Sequence, residues 1–189
     1  MAITQPAETR SLYDRLLGLP EGLTGEILDG QLHAQPRPAG PHARAESVLQ
    51  IEIGGPFDRG KGGPGGWWIL IEPEIHFVRD TEVCVPDLAG WRRTRMSRIP
   101  RDQRFEVVPD WVCEILSPST ESKDRAIKMP IYAGYGVRFA WLIDPLKQTL
   151  EPFALEGGEW RPLGIRRGSE TVSVPPFDAV RLALHDLWI

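Results

Sequence analysis

The sequence predicts a mixed α/β domain, a β-sheet covered by helices, and three observations carry that prediction. Short apolar runs rich in Val, Ile and Trp recur between Trp67 and Asp144. Two segments with helical spacing of apolar residues, 42–53 and about 124–135, alternate with them. An Asp29-Gly30 pair between two short alternating segments marks a hairpin ahead of both. Hairpin, helix, three strands, helix and strand is the order of a mixed sheet flanked by helices.

Each element has its own signal. Ser11 to Leu19 reads as a short amphipathic helix or an extended leader ending at Pro20, so residues 1–19 are set apart as a leader from a domain spanning 20–189. GEILDGQLHA forms the hairpin, because both central residues of a type I′ turn need positive φ and Asp-Gly supplies them. QPRPAGP is a loop. From His42, the positions Ala45, Val48, Leu49 and Ile51 repeat with helical spacing. GGPFDRGKGGPGG then reads as a Gly/Pro-rich loop outside the core.

Strands follow. WWILIEPEIHFV is β-rich, with Pro73 demoting its centre to an edge or bulge. TEVCVPDLAGW is a second strand with Asp87 at its end, and WVCEIL is a third. Residues 124–135 read as a helix and VRFAWLID as a fourth strand. Leu150 to Leu163 reads as a second hairpin.

Composition limits the function classes. The chain has 189 residues, 41% of them hydrophobic and 25% charged, as expected of one globular domain with a core. No apolar run reaches the roughly 20 residues needed to cross a bilayer. MAITQPAETR lacks the regions of a secretory signal, so a cytoplasmic protein is expected. Cys84 and Cys113 show no zinc or disulfide spacing. The net charge of −4 confines any nucleic-acid contact to a local patch. One patch qualifies: Trp91 to Arg104 holds six arginines and one acid. It is either a solvated face or a phosphate-contacting loop in which Arg92, Arg93, Arg95 and Arg98 meet the backbone.

The chemistry centres on two carboxylates. Side chains alternate along a strand, so Val112, Glu114 and Leu116 share one face of WVCEIL, and Trp111, Cys113 and Ile115 the other. A carboxylate among such neighbours is costly to bury unless it is paired or holds an ion. Asp87 and Glu114, brought together by neighbouring strands, can converge on one hard cation, and Mg²⁺ suits oxygen donors of this kind, with Mn²⁺ as an alternative. Glu72, Glu74 and His76 also share a strand face, which fits a metal site or a solvated edge equally. His42 reads as a helix-start residue rather than a general base.

VPDLAGW, CEILSPST, SKDRAIKMPIYAGYGV and FAWLIDP resemble the Uma family of restriction-endonuclease-like proteins, within the PD-(D/E)xK nuclease superfamily. EILDGQL is similar to that family's first hairpin and PHARAESVLQ to its first helix. The resemblance runs from about Glu26 to Asp144. It implies a restriction-endonuclease-like fold and a Mg²⁺-dependent endonuclease that hydrolyses phosphodiester bonds of nucleic acid, DNA first. Asp87 matches the family's Pro-Asp metal ligand, Glu114 the second acidic ligand, and Glu26 a hairpin glutamate. The superfamily's lysine normally stands two residues after the acid, where this chain has Leu116. Lys128, on the following helix, is its match, in line with Asp124 and Tyr132. Pro130 puts that helix's course in question, with Lys123 as the fallback cation. Cutting both strands with one site per chain leads to the expectation of a homodimer. The alternative is a nuclease fold without catalysis, serving as a nucleic-acid-binding or protein-interaction module.

Overall fold

The computed structural model describes residues 10–36 and 39–189. Two sheets and three helices dominate it. Helix α1 (Leu12–Leu17) is closed by a capping box in which Ser11 and Asp14 satisfy each other's backbone donors. It lays Tyr13 and Leu16 against Ile27 and Val83. Strands β1 (Leu23–Leu28) and β2 (Gln31–Pro36) form the expected hairpin, and Asp29 and Gly30 both take positive φ, 50° and 72°. Helix α2 (Gly40–Ile53) follows.

The apolar run after Trp67 divides. Strand β3 (Trp67–Ile71) and strand β4 (Ile75–Val78) belong to different sheets, because Glu72 turns to φ 44° and Pro73 cannot donate to a ladder. TEVCVPDLAGW divides likewise, into β5 (Glu82–Cys84) and β6 (Leu88–Arg92), with Pro86 in the gap. Asp87 therefore stands just ahead of a strand, not at the end of one as the sequence suggests. The small sheet has the order β2-β1-β5-β4.

The large sheet is built on β7 (Trp111–Ile115), antiparallel to β6 and parallel to β8 (Phe139–Asp144). The crossover between β7 and β8 is helix α3. It begins as Glu121–Lys123, widens into a π turn at Asp124–Lys128 and ends as Met129–Gly134. The π turn resolves the Pro130 problem: Met129 N–H reaches back five residues to the Asp124 carbonyl. The helix thus passes through the proline without ending. Strands β9 (Thr149–Glu156) and β10 (Glu159–Pro162) form the second predicted hairpin.

Each sheet face has its own helix. Ala45, Val48, Leu49 and Ile53 of α2 pack on Trp111, Cys113 and Ile115, joined by Phe177, Leu184 and Trp188 from the C-terminal segment. Met129, Ile131 and Tyr132 of α3 pack on Val112 and Ala140 across the sheet. The alternation read from WVCEIL is the alternation observed. GGPFDRGKGGPGG departs from expectation: Gly54–Asp58 extends α2 by a π turn and buries Phe57, whose ring lies 4.7 Å from that of Phe177.

Candidate active site

Antiparallel pairing of β6 with β7 places Leu88 opposite Cys113, and so brings Asp87 to the carboxyl end of β7, beside Glu114. Asp87 Oδ2 accepts the Ile115 N–H at 2.5 Å, and Asp87 Oδ1 lies 3.1 Å from His42 Nε2. His42 comes from the first turn of α2. Burial alone would lower its pKa, but the hydrogen bond and charge of Asp87 outweigh that and raise it.

Glu114 points to the α3 side and is buried. Lys128 Nζ donates to one carboxylate oxygen at 2.8 Å and the Tyr132 hydroxyl to the other at 2.5 Å. Lys128 also lies 2.8 Å from Glu26 Oε1 and donates to the Val85 carbonyl. Glu26 in turn accepts from Val85 N–H and, through Oε2, from Lys123, which also donates to Gln35. Two carboxylates and two ammonium groups are thus interlaced between the hairpin, β7 and α3. The helical spacing of Asp124, Lys128 and Tyr132 does the placing: Lys128 and Tyr132 reach Glu114 from successive turns, and Asp124 lies buried beside them.

The electrostatics follow from burial and pairing. Burial would lower Lys128, but Glu114, Glu26, Asp124 and Asp87 together hold it well above the ordinary lysine value. Glu26, between two lysines, is lowered despite its burial. Burial pushes Glu114 up, with Lys128 opposing and the neighbouring acids adding to the rise. Asp124 is raised by burial, against the pull of Lys128 and Lys123. Glu46, one turn after His42 on α2, is raised to about 7 by burial and by the charges of Asp87 and Glu72.

A cavity of about 320 Å³ opens in front of Asp87, lined also by His42, Glu72, Thr24, Gln35 and the Ser117–Thr120 segment. The donor set around it fits a hard divalent cation. Asp87 offers a carboxylate oxygen at the cavity wall, and the buried carboxylate of Glu114 is close enough to feel its charge. The four carboxylates that Lys128 feels exceed the two nearby lysines by two charges when all are ionised. Soft ligation is disfavoured, because burial pushes the thiols of Cys84 and Cys113 up and keeps them protonated. Among the described residues, no three of His, Cys, Asp and Glu form a ready-made cage. Mg²⁺ is commonly held by one or two carboxylates, completed by water and substrate oxygens.

Glu114, Lys128 and Glu26 are therefore brought together as one ion-paired cluster, and Asp87, held by Ile115 N–H and His42, is near enough for its charge to act on Glu114 and Lys128. The arginines are not part of the cluster. Arg92 ends β6, five residues from Asp87, which is about 16 Å along an extended strand. Arg93 is spent on Asp58 and the Trp67 carbonyl, stacked 3.7 Å from the Trp68 ring. Arg95 pairs with buried Asp110 at 2.8 Å, and Arg92 lies over Trp67. Arg98 is exposed. Glu74 and His76 pair with each other at 2.8 Å, and the Tyr13 hydroxyl donates to the same Glu74 oxygen. His42, which from the sequence reads as a helix-start residue, and Glu46, which the sequence does not single out, both lie close enough to interact with Asp87. Their spacing of four on α2 was visible, but nothing local showed that this face meets Asp87.

Comparison with known proteins agrees with this architecture. A solved structure from Anabaena variabilis ATCC 29413, described as a "putative nuclease belonging to DUF820", superposes with a TM-score of 0.71 at 25% sequence identity, covering 93% of this chain and 96% of that one. No curated protein matches the chain. The model of the Uma2 family, described as "Putative restriction endonuclease", matches residues 10–185. The fold is thus restriction-endonuclease-like, and the chain belongs to the Uma2 family.

Proposed function

We propose that the protein is a divalent-metal-dependent endonuclease that hydrolyses phosphodiester bonds of DNA at the Asp87 cavity. The observation that carries this reading is Asp87 at the cavity wall, with its charge acting on Glu114 and Lys128 of the buried Glu114–Glu26–Lys128 cluster. Family membership supports nucleic acid as the substrate class.

Asp87 and Glu114 are the residues that would hold the metal, Mg²⁺ in the first place and Mn²⁺ as its substitute. The bound cation would supply a water of lowered pKa and offset charge on the scissile phosphate. The chain's own groups prepare the site. Ile115 N–H and His42 orient the Asp87 carboxylate. Lys128 and Tyr132 hold Glu114 against the strand end. Lys128 is 1% exposed, so its role is to position Glu114 and Glu26 and to set the local field, without touching substrate. Glu26 anchors both lysines to the hairpin. Cleavage of both duplex strands then calls for two chains, a homodimer.

One observation favours a second reading, a nucleic-acid-binding module without catalysis. Both Glu114 oxygens already have partners, so the carboxylate must share one of them to ligate metal. The two readings separate on cleavage of supercoiled and linear DNA with Mg²⁺ or Mn²⁺, with Asp87→Asn and Glu114→Gln alongside. Metal-dependent cutting that both substitutions abolish, in folded protein, establishes the nuclease. DNA binding without cutting under every metal condition establishes the module.

A further inference from the structure

We propose that the groove between β2 and the Ser117–Lys123 segment carries the sugar-phosphate backbone of the bound DNA, with Lys123 as its cation. This rests on the nuclease-fold reading above and assigns the substrate track that leads into the Asp87 cavity.

The Asp87 cavity adjoins a second concavity of about 320 Å³, lined by His33, Ala34, Gln35, Pro36, Ser119, Thr120 and Lys123. The two share Gln35, Pro36, Ser119 and Thr120, so they form one groove with Asp87 at one end and Lys123 at the other. Charge is segregated along it. The Asp87 end holds two carboxylates, Asp87 and Glu72. The Lys123 end has no carboxylate among its lining residues, only a lysine, a histidine, an amide and hydroxyls. A metal site belongs at the first end and a polyanion at the second.

The donors fit. Lys123 spends two of its three N–H bonds on Glu26 and Gln35 and keeps the third. Its side chain is 15% exposed, whereas that of Lys128 is 1% exposed and lines neither concavity. Ser117, Ser119 and Thr120 hold one another through hydroxyl contacts of 3.0 Å, presenting further donors of the kind that position phosphates. The arginine-rich segment, by contrast, starts at the far end of β6, and Arg93 and Arg95 are committed to Asp58 and Asp110.

Equilibrium binding of a 25-base-pair duplex to the full chain, without added divalent metal and across a salt series, tests the assignment. The set is wild type, Lys123→Gln, Ser119→Glu and Arg98→Gln, with melting temperatures measured in parallel. Lys123→Gln should weaken binding about tenfold at low salt and reduce the salt slope by about one, as loss of one phosphate contact does. Ser119→Glu places a carboxylate in the groove at an exposed position and should weaken binding comparably with unchanged melting. It therefore keeps the test decisive if Lys123→Gln folds poorly. Arg98→Gln should bind as wild type does. The proposal is overturned if Ser119→Glu binds as tightly as wild type, or if Arg98→Gln alone loses affinity. In both cases a wild type that binds and cuts DNA leaves the nuclease reading intact. A wild type that binds no duplex at any salt overturns the proposal, and one that also cuts no DNA with Mg²⁺ or Mn²⁺ overturns both.

Discussion

Lys128 Nζ stands 2.8 Å from the Glu114 carboxylate, and both side chains are almost wholly out of water. A charge so placed is tolerated only with its partners, so removing one member should cost more than removing the pair. Lys128→Met is expected to destabilise the fold by about 3–5 kcal/mol, because it leaves Glu26 and Glu114 buried without their cation. Adding Glu114→Gln to it should recover part of that loss. Urea unfolding of both variants checks this, and a double variant no more stable than Lys128→Met would show that the coupling is absent.

Tyr132 donates to the other Glu114 oxygen. Tyr132→Phe keeps the ring in its place in the core and removes only the hydroxyl. It should cost about 1.5–3 kcal/mol, the range for a hydrogen bond to a charged group. Since it also frees one oxygen of a proposed metal ligand, Mg²⁺ or Mn²⁺ affinity by calorimetry should not weaken. A weaker affinity would mean that Tyr132 positions Glu114 for the metal and does not compete with it.

Asp87 has two duties that substitution can separate. Asp87→Asn retains an oxygen for the Ile115 N–H, whereas Asp87→Ala leaves that donor unpaired. The alanine variant should lose about 1–3 kcal/mol of stability, and the asparagine variant should lose much less. Both should abolish metal-dependent cleavage. Cleavage surviving in a folded Asp87→Asn protein would remove Asp87 from the metal site.

Asp144, at the end of β8, is lowered: burial would raise it, but the Lys147 N–H, the Lys147 side chain and the Leu146 N–H outweigh that. A carboxylate lowered on folding stabilises above its unfolded value, near 3.9, and that stabilisation is lost as pH falls through the folded value. Wild type should therefore exceed Asp144→Ala in stability at pH 7, and the gap should close as pH drops below about 3.9. Thermal unfolding from pH 7 to pH 2.5 reads the difference directly. A constant gap would assign the effect to packing.

Arg93 shows what tertiary contacts add to a reading of composition. In the sequence it belongs to a run that suits phosphate. In the fold it clamps Asp58 and covers Trp68. Arg93→Ala should lower stability by about 1 kcal/mol, given its partial exposure and one stacked ring, with DNA affinity nearly unchanged. A large loss of affinity with no loss of stability would make the segment a contact surface.

Much of the fold was legible because its signals are local. Asp29-Gly30 needs no distant partner to turn a hairpin, and the alternation in WVCEIL fixes which side chains share a face. The splitting of the two long apolar runs at Glu72-Pro73 and at Pro86-Asp87 was less visible. A proline breaks a ladder, but only the second sheet shows where the chain goes next. Within the site, Lys128 and Tyr132 were found on the helix stripe that Asp124 begins. His42 was read as a helix start because its partner, Asp87, lies 45 residues away in the chain.

The sequence by itself determined the mixed α/β class, the hairpin, the helix faces and the residue types of the candidate site, each from spacing, turn chemistry or family pattern. Tertiary structure alone decided which charges meet. It gave Glu26 two lysines, closed Lys128 off from water, left Lys123 at the groove and spent two arginines on aspartates. The physical reason is that propensity and alternation act over a few residues, whereas burial and ion pairing depend on which strands and helices come to lie side by side.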